Sequence, residues 1–197
     1  MLLGASRLEA PNPPEERQTS LPSGGFFLRT CGDIMRYMIA LGIDPGTRRI
    51  GYGVVECNGS DIAYVAAGIL TITSTDDVPA LEETKKGIDA LIKKYKPDVV
   101  AIEKLFFAKN TKTALAVAQA RGVILLATKE RGVRIKEYTP NEVKSGVAGY
   151  GMADKKAVLK MVRLILGKQD LKVIDDASDA LALAILSTGD RLLDSAR

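Results

Sequence analysis

Four carboxylates stand where carboxylates can do chemistry. Asp44 follows the apolar run Met38-Ile39-Ala40-Leu41-Gly42-Ile43 and opens the turn Asp44-Pro45-Gly46. Glu103 ends a second apolar run, Val99-Val100-Ala101-Ile102. Both read as residues at the carboxyl end of a strand, the edge where open α/β sheets place their ligand sites. Asp176 and Asp179 are three apart in a helical pattern, so their side chains share one side of it. Each acid also has an ordinary reading, because Asp-Pro-Gly is a common turn and acids favour a helix N-terminus. Glu103 fits that reading least. An acid ending so apolar a run lies close to the core and needs a partner, which a divalent cation can be.

The sequence contains no histidine. That excludes Ser-His-Asp and Cys-His catalysis, HExxH metalloproteases and any nuclease built on a histidine base. Hydrolysis here must rest on carboxylates, lysines or metal ions. If the two strand ends are neighbours and the last helix packs across them, the four acids converge. Converging carboxylates repel and take up protons. Bound Mg2+ removes the conflict, and two ions about 4 Å apart would activate a water and stabilise the leaving oxygen of a phosphodiester.

The elements that must position these residues are readable in outline. Short β-rich runs at 38–43, 50–56 and 62–73 predict a three-stranded meander with a hairpin at Asn58-Gly59. Leu81, Ile88, Leu91, Ile92 and Tyr95 share one helical face, which Pro97 terminates. Residues 98–103 predict a buried strand, 111–131 a long helix and 133–138 a last strand. Thr139-Pro140-Asn141-Glu142 carries the signature of a capping box. Residues 146–151 read as a flexible loop. Residues 153–166 predict a helix with Val158, Met161, Val162 and Ile165 on one face, and a final helix spans about 175–187. The order predicts an α/β fold with a mixed five-stranded sheet and helices on both faces.

Composition sets the outer limits. Apolar residues at 46% and charged residues at 26% suit a globular chain, and the net charge of +4 suits an anionic partner such as nucleic acid. Cys31 and Cys57 form no CxxC pair, so neither a disulfide framework nor a zinc site is expected, and a cytoplasmic location is. No apolar run approaches the length of a membrane span. Residues 1–34 are rich in Pro, Gly and scattered apolar positions and are expected to be a disordered extension. The folded domain is expected over 35–189, followed by a tail at 190–197.

The motifs resemble one family. Ile43-Asp44-Pro45-Gly46-Thr47-Arg48-Arg49-Ile50-Gly51-Tyr52-Gly53-Val54-Val55 is similar to the opening motif of the RuvC family of Holliday-junction resolvases, whose fold is ribonuclease H-like. Ala101-Ile102-Glu103-Lys104-Leu105-Phe106-Phe107-Ala108-Lys109-Asn110 resembles the second motif. Gln119-Ala120-Arg121-Gly122 falls in the family's long helix, and Asp176-Ala177-Ser178-Asp179-Ala180-Leu181-Ala182 resembles its last acidic motif. The similarity runs in order from about residue 35 to 188.

The resemblance implies a Mg2+-dependent crossover junction endodeoxyribonuclease acting in recombination and repair. Asp44, Glu103, Asp176 and Asp179 would be the catalytic acids and metal ligands of two ions, for which Mn2+ could substitute. Family members can carry histidine where this chain has Asp176. Lys144 and Lys155 match basic positions near the scissile phosphate, and Phe106 matches an aromatic placed against bases at the junction centre. Stacking of that kind is worth about 1–3 kcal/mol per base. Lys109, Lys112 and Arg121 join the expected DNA-binding set, although solvation alone would explain several of these cations. The partners implied are four-way junction DNA, a second copy of the chain through the long helix, and the RuvA and RuvB branch-migration proteins. The first motif also resembles the phosphate hairpin of actin- and Hsp70-like ATPases, for which the chain is too short. A YqgF-like nuclease of the same fold and a non-catalytic junction-binding module remain alternatives at this point.

Overall fold

Side chains alternate across a strand, so the parity of a position decides which layer it serves. A computed structural model of the chain describes residues 37–104 and 111–189, with the side chains of 111–113 outside the description. The elements are β1 (Met38–Asp44), β2 (Arg49–Asn58), β3 (Asp61–Thr71), α1 (Asp77–Tyr95), β4 (Val99–Glu103), α2 (Thr111–Glu130), β5 (Arg134–Tyr138), α3 (Pro140–Ala148), α4 (Lys155–Ile165) and α5 (Asp175–Gly189). The sheet order is β3-β2-β1-β4-β5. β1, β2 and β3 form the expected antiparallel meander, and β4 and β5 add in parallel beside β1. Gly59 makes the β2–β3 turn at φ 63°, in the left-handed region where glycine carries no steric penalty.

Two cores follow from the alternation. On one side, Leu41, Ile43, Ile50, Val54, Val100 and Ile102 pack with Ile88 and Ile92 of α1 and Ile124 and Ala127 of α2. On the other, Met38, Ala40, Val55 and Val99 pack with Val147 of α3, Val158 and Val162 of α4, and Leu181 and Ile185 of α5. The sheet is therefore sandwiched, as the sequence predicts. The same parity carries Asp44 and Glu103, the last residues of β1 and β4, to the side covered by α5.

The expected apolar face of α1 turns slightly. Ala80, Thr84, Ile88 and Ile92 are its buried residues, with Leu91 and Tyr95 half-buried beside them. Thr84 can be buried because its hydroxyl donates to the Ala80 carbonyl at 2.9 Å. The loop expected at 146–151 is largely helix. α3 continues to Ala148 before Gly149 caps it at φ 85°, and the space a Cβ would need at Gly146 is taken by Leu186 of α5. Glycine there reports close helix packing, which a single sequence does not separate from a flexible turn. The capping box is present: Thr139 Oγ1 accepts from Glu142 N at 3.2 Å, and Glu142 Oε2 accepts from Thr139 N at 2.6 Å. Asp154 caps α4 by accepting from Ala157 N at 2.7 Å.

Candidate active site

The parallel register of β1 and β4 pairs Ile43 with Ile102. Asp44 and Glu103 each follow by one residue, so the two strand ends present their carboxylates side by side. What brings the second pair of acids over them is the lack of side chains beneath α5. A Cβ at Gly42 would run into the backbone of Ala180, and one at Gly51 into the backbone of Asp176. A Cβ at Gly53 would lie 2.6 Å from Leu181 N. Three glycines thus let α5 lie directly on β1 and β2, with its first turn at the strand ends. Ala177, Ala180 and Ala184, buried on one face of α5, serve the same close approach.

The electrostatics confirm that the acids share a neighbourhood. Burial pushes the Asp44 carboxyl up to about 7, and the charges of Asp179, Glu103 and Asp176 push in the same direction, against Lys155. Glu103 is also raised, first by burial and then by Asp179, with Lys155 and Lys144 opposing. The α5 acids lean on cations. Lys155 Nζ is 2.7 Å from Asp179 Oδ2, and Arg49 contacts Asp176 Oδ2 at 3.3 Å. The hydrogen bond to Asp179 raises the Lys155 pKa. Among the described residues, no three acids or thiols close into a ready-made metal cage. The donor set is nonetheless all carboxylate oxygen, the chemistry that Mg2+ takes, and it carries a surplus of negative charge that Lys155 and Arg49 offset only in part.

The family sequence profile described as crossover junction endodeoxyribonuclease RuvC matches residues 40–187. The chain belongs to the RuvC family. A Chloroflexus aggregans protein named crossover junction endodeoxyribonuclease RuvC is 50% identical over 149 residues, covering 75% of this chain and 91% of the relative. The Thermus thermophilus RuvC structure superposes with a TM-score of 0.72 at 31% identity, over 80% of this chain and 97% of that one. T. thermophilus RuvC in complex with Holliday junction substrate gives a TM-score of 0.74 at 30% identity, with the same coverage. The match across the whole folded region decides for RuvC over the ATPase and YqgF-like readings, which rested on the first motif.

The residues expected to bind DNA fall into three groups within this RuvC fold. Lys155 and Lys144 face the acids, as their opposing effect on Glu103 shows. Phe106 and Lys109 lie outside the described residues, as does the side chain of Lys112. Arg121 is turned inward and is only 15% exposed: its Nε donates to the Glu103 carbonyl at 3.0 Å, and its guanidinium pairs with Glu137. Sequence reasoning missed Arg49 beside Asp176 and the role of Gly42, Gly51 and Gly53. The glycines did leave a signal, since they interrupt otherwise apolar strands at one parity. That pattern marks a surface where another backbone comes close.

Proposed function

We propose that this chain cuts four-way DNA junctions by hydrolysing phosphodiesters with two divalent cations, Mg2+ foremost, held by Asp44, Glu103, Asp176 and Asp179. Divalent metal use comes with membership of the family; the ion, its number and its ligands are this reading. The observation that carries it is the coupling of Asp44 to three acids drawn from β4 and α5, in a chain that offers no histidine. Bound cations would supply an activated water and stabilise the departing oxygen.

The chain's own residues do the rest. Burial at the sheet edge keeps the Asp44 carboxylate poorly hydrated and so eager for a cation. Asp176 and Asp179 approach the strand ends from α5 and would complete the ligand set there. Lys155 holds Asp179 and can turn to a phosphate once a cation replaces it there. Lys144, whose charge acts on Glu103, would meet the same backbone. Lys109, Lys112 and Phe106 extend this reading along the junction, the lysines on phosphates and the ring against bases.

A junction needs two cuts, and a C2 dimer supplies them. Leu115, Gln119, Gly122 and Leu126 recur at spacings of four, three and four on α2, and all are exposed, Leu115 by 70% and Leu126 by 55%. Such a stripe suits helix-to-helix pairing with a second copy. RuvA and RuvB are the further partners of this reading, and the cytoplasm is its setting. No helix among the described residues is long and apolar enough to cross a membrane.

The test is incubation with a mobile four-way junction and with linear duplex, in Mg2+ or EDTA. Paired incision of the junction alone, only in Mg2+, is expected. Asp44→Asn should abolish cutting and leave junction binding intact. Undiminished cleavage by Asp44→Asn would end the catalytic assignment, and junction binding with no cutting by the parent chain would favour a passive module.

A further inference from the structure

Arg121 is a charged side chain on α2 that is largely turned away from solvent and bonds to none of the four acid side chains. It spends its donors on the frame around the cluster. Nε holds the backbone carbonyl of Glu103, the last residue of β4, at 3.0 Å. The terminal nitrogen pairs with Glu137, which stands opposite Ile102 on β5. The strand ends are joined again where Lys104 N donates to Tyr138 O at 2.7 Å. Strand ends fray unless something holds them, and here the end that must be still carries Glu103.

We propose that Arg121 is a positioning residue, a clamp from α2 that fixes the end of β4 and with it the Glu103 carboxylate. The clamp acts through backbone: the cations that face the Glu103 carboxylate itself are Lys155 and Lys144. The guanidinium suits the task because its planar fork serves two acceptors at once, which an ammonium on a flexible stem does not. The proposal rests on the nuclease reading of the site but replaces the expectation that Arg121 binds DNA.

The experiment compares the full-length chain with Arg121→Ala, Arg121→Lys and Glu137→Ala. Mn2+ binding is read by electron paramagnetic resonance, Mg2+ dependence by junction cleavage, and junction affinity in EDTA by gel shift over a salt series. Loss of residues that support a ligating carboxylate weakens metal binding about tenfold or more, and that is the shift expected for Arg121→Ala. The Mg2+ needed for half-maximal cleavage should rise in parallel, while junction binding in EDTA keeps its affinity and salt slope. Arg121→Lys should recover part of the loss. Glu137→Ala should move the same way, and the double variant should be no worse than Arg121→Ala.

Unchanged Mn2+ affinity in the variants overturns the proposal. So does weakened junction binding with a salt slope lower by about one, the sign of a lost phosphate contact. If Arg121→Ala does not fold, Arg121→Lys and the exposed Glu137→Ala decide between the same two outcomes. A parent chain that binds Mn2+ but never cuts junctions would sink the nuclease reading and leave the clamp standing.

Discussion

Asp44 is the residue at which fold and chemistry conflict most. Its carboxyl is pushed from an ordinary 3.8 to about 7, by burial first and then by Asp179, Glu103 and Asp176. Because the folded value lies above the unfolded one, the group's contribution to stability is full below about pH 4 and is lost as pH rises through about 7. Asp89 runs the other way, since Arg131 and Lys85 lower its pKa; its contribution is already full above about pH 4 and is flat across the window of interest. The metal-free chain should therefore melt at a falling temperature from about pH 5 to about pH 8. Asn at position 44 should remove most of that slope and raise the melting point at the alkaline end by a few degrees, measured by thermal denaturation in EDTA. Mg2+ should tighten with pH over the same range, as binding expels the proton. Of the four acids, Glu103 was the one the sequence singled out by itself, because an acid ending so apolar a run has few structural reasons to be there; the others drew notice together, through their places at a strand end and on one helix face. The cations beside them were not legible. Lys155 meets Asp179 across 24 residues, a pairing set by how α4 packs on α5 rather than by anything local.

Placing α5 falls to glycine rather than to any large side chain. Gly51 and Gly53 sit under backbone atoms of Asp176 and Leu181, which cannot swing aside as a flexible side chain can. Ala at either position should force the helix off the sheet, destabilising the protein by about 1–3 kcal/mol as overpacking does. It should also weaken Mg2+ binding, because Asp176 and Asp179 move with the helix. The contrast is Gly122, whose added Cβ would meet nothing within 4 Å. Ala there should leave metal binding untouched, and chemical denaturation with metal titration separates the two cases. The elements themselves were plain in the sequence. Periodicity located all five strands, and Thr139 with Glu142 announced the start of α3. Pattern failed at Gly146, since the contact that explains that residue comes from Leu186, 40 residues on. Local pattern speaks for an element's existence and says little about what lies against it.

For the whole molecule, the question is how one chain makes two cuts. The mixed five-stranded sheet with helices on both faces was legible, because alternating strands and helices admit few topologies. The surface proposed to meet another copy leaves a fainter trace, since a single exposed leucine is commonplace. Leu115 and Leu126 gain meaning only when α2 is built and they fall in line with Gln119 and Gly122. If α2 pairs with a second copy as proposed, glutamate at both leucines sets like charges against each other across the symmetric interface, so the doubly substituted chain should sediment as a monomer. Neither leucine belongs to either core, and its melting temperature at low protein concentration should change little. On a supercoiled plasmid extruding a cruciform, a dimer makes both incisions within one bound complex and releases linear DNA. A monomer makes them in separate encounters, so nicked circles should accumulate. Linear product at the parent rate from a chain shown to be monomeric would mean that the second cut does not need the second copy, and the α2 stripe would lose its role.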